Sequence, residues 1–326
     1  MIISRTPLRA SFCGGGTDID SFSHTEEEGG MVVSVSLQSY IHITVNKRFD
    51  NMVRVSYSKM ELVENFEDLE HELVREAMRI TGITSGVEIT TIADIPSRGT
   101  GLGSSSSVTV GLLNALHTYA GRSTSPKQLA EEACMIEIDI LKQPIGRQDQ
   151  YAAAYGGINC ITFSHDIVKV TPLVIEKEII DKMENEFSLI FTGLSRSASK
   201  ILAESSDNAE NKIKRLRKIR SQALSSKKML ENGKLRELGK LLAETWKLKR
   251  ELSQSVSNEE LDSLYVRLLD TGATGAKLLG AGGGGFFLVH GPPEFRTKLL
   301  SNFGQEYKVL PLKLDHNGSQ IVYNSI

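Results

Sequence analysis

Ile95-Pro96-Ser97-Arg98-Gly99-Thr100-Gly101-Leu102-Gly103-Ser104-Ser105-Ser106-Ser107 follows an alternating apolar run and leads straight into Val108, Val110, Leu112, Leu113 and Leu116 at helical spacing. Gly99, Gly101 and Gly103 can take positive φ and let backbone approach a ligand closely. The helix behind them offers free N–H groups and a positive dipole end. Such a turn is a natural seat for an oligophosphate. A flexible Gly/Ser linker is the competing reading, but a linker would not run directly into a patterned apolar helix. The Walker form needs Lys-Ser/Thr after its last glycine, and four serines follow Gly103. The dinucleotide fingerprint fails as well, with Ser104 three after Gly101 and no acidic residue about twenty positions on. Serine hydroxyls at the helix start could hold Mg2+ beside the phosphates.

Working outward, 326 residues exceed the size at which single cores stop growing, so two lobes are expected. The charged, weakly patterned stretch from Pro172 to Asn185 divides the chain into residues 1–180 and 181–326. With 38 basic and 40 acidic residues the net charge is -2, which points to small-molecule partners and away from nucleic acid and anionic membranes. Cys13, Cys134 and Cys160 have neither metal nor disulfide spacing and suit free thiols in a reducing compartment. No signal peptide or membrane span is read, so a cytoplasmic protein is expected, with homodimerisation left open.

Along the chain, Met1 to Phe12 reads as a strand interrupted by Cys13-Gly14-Gly15-Gly16-Thr17-Asp18. Asp18 on this turn either accepts hydrogen bonds from sugar hydroxyls or caps the next turn. Met31–Leu37, Tyr40–Phe49 and Met52–Tyr57 alternate in period two, predicting three antiparallel strands in succession. A helix over about Phe66–Ile80, a strand over Gly86–Asp94, and a capped helix from Ser125 to about Leu141 follow. Glu137 adjoins Ile136 and Ile138 on that helix, although a solvated carboxylate is the usual fate of Glu. Phe187–Thr192 then turns through Gly193 to Ser197 into a helix, and Arg196 there either receives a substrate phosphate or pairs with a surface carboxylate. Residues from about Asp207 to Leu252 are helical, and Ser257-Asn258-Glu259-Glu260 reads as a capping box. The glycine-dense run Thr271 to Gly285 implies close approach to a ligand, or packing against the first glycine turn.

Three glycine-rich loops, a helix carboxylate and a loop Asp suit phosphoryl transfer, which asks mainly for charge neutralisation and alignment. The chain resembles the GHMP kinase superfamily over essentially its whole length. Pro96 to Ser107 is similar to that family's Pro-x-x-x-Gly-Leu-Gly-Ser-Ser motif, Thr271 to Gly285 to its glycine-rich third motif, and Pro7-Leu8-Arg9 through Thr17-Asp18 to the first motif of galactokinases. The resemblance implies an α+β fold, with an amino-terminal lobe like the second domain of ribosomal protein S5 and a ferredoxin-like carboxy-terminal lobe. It further implies ATP on Gly99, Gly101, Leu102, Gly103, Ser104, Ser105 and Ser106, Mg2+ on Ser105 and Glu137, and Asp149 at the acceptor hydroxyl with Arg9 beside it. Asp18, Gly15, Gly16, Arg196 and Gly283 would meet the sugar. Gly15 and Gly16 stand where galactokinases carry an acidic residue and a His, which turns the expectation away from galactose. Arg9–Asp18, Pro144–Ala152 and Thr192–Ser199 look most like the branch that phosphorylates the anomeric hydroxyl of D-glycero-D-manno-heptose 7-phosphate.

Overall fold

β-Branched and apolar residues in alternation build the sheet on which the site rests. The computed structural model describes residues 1–96, 99–165, 167–194 and 209–325. Apart from short 3₁₀ turns, the elements in chain order are β1 (Ile2–Cys13), α1 (Asp20–Ser23), β2 (Gly30–Lys47), β3 (Val53–Ser56), β4 (Met60–Val63), α2 (Glu72–Thr81), β5 (Val87–Ala93), α3 (Ser104–Tyr119), α4 (Pro126–Cys134) with a π-helical continuation (Met135–Ile140), α5 (Gln148–Tyr155), β6 (Ile158–Phe163) and β7 (Val168–Pro172). There follow α6 (Lys177–Glu186), β8 (Phe187–Phe191), α7 (Ala209–Glu231), α8 (Leu235–Arg250), α9 (Glu259–Asp270), β9 (Gly275–Leu278), β10 (Phe286–His290), α10 (Phe295–Phe303), β11 (Val309–Pro311) and β12 (Gln320–Asn324).

Two sheets result, an α+β arrangement as expected. The first runs β12-β1-β2-β5-β3-β4 with β6 and β7 joined to β2, and the second runs β11-β8-β10-β9. The two strands expected over Met31–Leu37 and Tyr40–Phe49 are one, β2, whose register against β1 slips between Pro7 and Leu8. Pro7 has no N–H to give the ladder, and the irregularity shifts the phase of the alternation. Nor does the strand expected over Met52–Tyr57, β3, pair with β2. β5 lies between β2 and β3, antiparallel to the first and parallel to the second. Periodicity identifies a strand but not its neighbour. The last strand returns to the first sheet, pairing Asn324 with Ile2, so the sheets do not divide the chain at one point.

Helix α3 is buried on nearly every side and packs on β1 and β2. Two of its serines are therefore spoken for inside the protein: Ser104 Oγ and Thr100 Oγ1 are 2.9 Å apart, and Ser107 Oγ donates to Pro7 O at 2.8 Å. The helical stretch expected from Asp207 to Leu252 breaks between α7 and α8 at Asn232-Gly233-Lys234. The cap of α9 is Asn258, which accepts from Leu261 N, while Ser257 donates to Asp262 instead. A second apolar cluster gathers Trp246, Phe287, Phe295 and Phe303 over the smaller sheet. The helix expected after Gly193 lies outside the described residues.

Candidate active site

The two glycine-rich runs meet. Gly101 has φ +74°, and a Cβ there would sit 2.5 Å from the carbonyl oxygen of Leu279. Gly103 begins α3 with φ +74°, and a Cβ there would come within 3.3 Å of the Asp149 carboxyl. Phe286 N donates to Thr100 O at 3.1 Å, tying the run after β9 to the cradle. The later run packs on the first turn, and Gly280, Ala281, Gly282 and Gly284 also line the cleft between them. That cleft has a volume of about 1340 Å³, room for a nucleotide and a sugar together. Gly99, Gly101, Gly103, Ser104, Ser105 and Ser106 line it, whereas Leu102 turns its side chain into the core.

Strand β1 delivers Arg9, buried, to the first turn of α5, where Asp149 stands. Arg9 Nε donates to Asp149 Oδ1 at 2.7 Å, Nη2 lies 2.7 Å from the same oxygen, and Nη1 donates to Gly101 O at 2.5 Å. The Arg9 backbone N–H also donates to Leu102 O at 3.0 Å. Guanidinium, carboxylate and cradle are thus joined in one hydrogen-bonded unit.

Glu137 is fully buried, not solvated, because the π-helical turn over Met135–Ile140 carries it inward. Ser105 Oγ donates to its Oε1 at 2.8 Å, and Ser106 Oγ and Gln150 Nε2 donate to its Oε2 at 2.7 and 2.5 Å. Burial pushes its pKa up, the three hydrogen bonds oppose this, and the Asp149 charge adds to it. Ser105 remains exposed to the cleft. Hydroxyl and carboxylate oxygens suit a hard cation such as Mg2+, which takes few protein ligands and completes its shell with water and phosphate. Among the described residues no group of three or more His, Cys, Asp or Glu could hold a metal without such help. Gln150 Oε1 is buried without a partner, an orphan acceptor beside this donor set.

Asp18 does not cap α1, whose first turn lacks a side-chain cap. Its Oδ1 accepts from Gly16 N at 2.9 Å and Gln148 Nε2 at 3.0 Å, and its Oδ2 accepts from Gln148 N at 3.1 Å. Burial raises its pKa, with Asp149 adding to the rise. Gly15, Gly16, Asp18 and Gln148 all line the cleft, and Gln148 Oε1 is a second orphan acceptor there. Gly283 does not line it: its N–H is donated to Val256 O at 2.9 Å, because the glycine run bends there to pack on that residue. Arg196 lies outside the described residues.

Sequence reasoning passed over Gln148 and three residues of the second lobe, Thr245, Lys249 and Lys277, that also line the cleft. Gln148 sits within the Gly146-to-Gln150 loop, a signal that was there to use. Lys277 was available as the one charged residue in the apolar strand Gly275–Leu278.

Residues 69–157 match the description GHMP kinases N terminal domain, and residues 226–294 match GHMP kinases C terminal. A D-glycero-alpha-D-manno-heptose 7-phosphate kinase of Campylobacter jejuni is 30% identical over 94% of both chains. A bifunctional fucokinase/GDP-fucose pyrophosphorylase of Arabidopsis thaliana is 27% identical over 94% of this chain, which spans 31% of that protein. Among solved structures, a D-glycero-D-manno-heptose 1-phosphate kinase from Bacteroides thetaiotaomicron superposes with TM-score 0.83 at 23% identity over the whole of both chains, a likeness of fold.

Proposed function

The chain belongs to the GHMP kinase family and is a sugar kinase, and from that premise we propose that it transfers the γ-phosphoryl group of ATP to the anomeric hydroxyl of D-glycero-D-manno-heptose 7-phosphate, giving the 1,7-bisphosphate and ADP. The observation that carries the reading is the Arg9–Asp149 pair set against the glycine cradle. Gly99, Gly101, Gly103 and the serines at the start of α3 hold the phosphates with backbone N–H groups. Ser105 and Glu137 would hold Mg2+, which when bound would neutralise phosphate charge. Asp149 accepts or orients the proton of the anomeric hydroxyl as its oxygen attacks the γ-phosphorus in line, and the bond to the β,γ-bridging oxygen breaks. Arg9 faces the group in transit. Asp18, Gly15, Gly16 and the orphan Gln148 Oε1 meet sugar hydroxyls.

The 30% identity to a heptose 7-phosphate kinase over 94% of the chain supports this acceptor. A fucose-like sugar or an unphosphorylated heptose is the second reading, and the fucokinase relative favours the first of these. A sensing protein without catalysis has no chemical reason to keep Arg9, Ser105, Glu137 and Asp149 in one constellation. The test is ADP release over a panel of sugars that includes heptose 7-phosphate, heptose and fucose. Turnover highest on the phosphorylated heptose supports the proposal, and turnover highest on another sugar replaces it.

A further inference from the structure

One wall of the cleft carries positive charge that the reaction above leaves unassigned. Lys277 lies in β9 between the buried residues Ala276 and Leu278 and is only 3% exposed, yet it lines the cleft. It makes no hydrogen bond or ion pair with any described residue. Lys249, near the end of α8, lines the same wall and donates to two carbonyl oxygens, Leu278 O at 3.4 Å and Gly280 O. Burial pushes the Lys277 ammonium down to about 8, Cys13 opposing and Arg9 adding to the fall. Burial likewise holds Lys249 well below the usual lysine range, with the charges of Lys277 and Arg9 adding. The Cys13 thiol is itself raised by burial and so does not neutralise Lys277. Buried cations are ordinarily paired. Here no carboxylate of the described residues pairs with Lys277, and Asp149 is already held by Arg9.

We propose that Lys277 and Lys249, together with Arg9, form a phosphate-binding site on the carboxy-terminal wall of the cleft. The inference rests on the kinase reading. Two phosphates share the required chemistry: the group in transit from the nucleotide, and the one the acceptor already carries. The wall that carries the pair is joined to both sides of the cleft. Cys13 Sγ lies 3.3 Å from Thr245 Oγ1, which joins this wall to the glycine turn at Gly14–Gly16 on the acceptor side. Gly280, held by Lys249, packs on Gly101 of the cradle.

Lys277→Met is the cleaner probe, since Lys249 also satisfies two carbonyls. Lys277→Arg keeps the charge as control. Steady-state rates are compared on heptose 7-phosphate and on the same heptose without its phosphate. If the acceptor's phosphate sits here, Lys277→Met raises its KM about 10-fold or more, leaves the KM for ATP unchanged, and abolishes the preference for the phosphorylated sugar. If the group in transit sits here, kcat falls about 10-fold or more on both sugars with the preference intact. Either result supports the site, and unchanged kcat and KM overturn it.

Melting in inorganic phosphate gives a readout independent of turnover. Without phosphate, Lys277→Met is expected to melt at or above the wild type, because an unpaired buried charge has gone. With phosphate, the upward shift of the wild type and of Lys277→Arg is expected to vanish in Lys277→Met. A methionine variant that melts well below the wild type without ligand, or that keeps the full shift, overturns the proposal. A wild type inactive on every sugar defeats the kinase reading instead, and the phosphate shift then decides the site alone.

Discussion

Arg9 Nε and Asp149 Oδ1 are 2.7 Å apart across 140 residues of sequence, and the same guanidinium reaches Gly101 O through Nη1 at 2.5 Å. The contact fixes where a phosphoryl donor and an acceptor hydroxyl can face one another. Asp149→Asn keeps the shape but not the charge, and we expect turnover to fall about 10²-fold or more while the KM for ATP stays within about twofold. Undiminished steady-state turnover would refute a role in proton transfer.

Glu137 gathers Ser105, Ser106 and Gln150 at hydrogen-bond distance with no exposure to water. Glu137→Gln should raise the Mg2+ concentration needed for half-maximal rate and weaken nucleotide binding together. Titration of activity against Mg2+ and calorimetry with ATP check this. An unchanged metal dependence would count against Glu137 as a ligand.

Gly101 and Leu279 bring the two glycine runs to contact. Gly101→Ala places a methyl 2.5 Å from a carbonyl oxygen at a φ of +74° that disfavours side chains. A loss of at least about 1 kcal/mol of stability is expected, together with a higher KM for ATP. Denaturant midpoints measure the first and initial rates the second.

Lys277 gives a pH dependence with a definite sign. Its folded pKa, about 8, lies below the ordinary 10.5, so between these values the unfolded chain binds more protons. Stability from this group therefore rises with pH through that window and is flat below it. Lys249 shifts in the same direction, and Cys13 and Arg9 are the other groups facing it. Relative to Lys277→Met, the wild-type melting temperature should climb between pH 8 and 10. A constant gap between the two proteins would contradict this assignment.

Much of the site was legible because its parts are local. Gly99 to Ser107 announces a cradle through alternate glycines running into an apolar helix, and the structure builds that helix at Ser104. The contact of Arg9 with Asp149 is not local, and only the family resemblance joined them. Glu137 escaped helical periodicity because a π-helical turn rotates it inward, against the usual behaviour of Glu. Lys277 escaped because a charge among small residues reads as surface, whereas β9 is buried throughout. Sheet order escaped for a similar reason: nothing in the alternation of Val87–Ala93 says that it inserts between β2 and β3.

The most direct test is where the new phosphate goes. Wild-type enzyme, ATP, Mg2+ and heptose 7-phosphate are incubated together and the product is read by ³¹P–¹H correlation NMR. The account predicts a second phosphate coupled to H-1, formed in step with ADP. A phosphate on any other carbon, or no ADP above the blank, would contradict it.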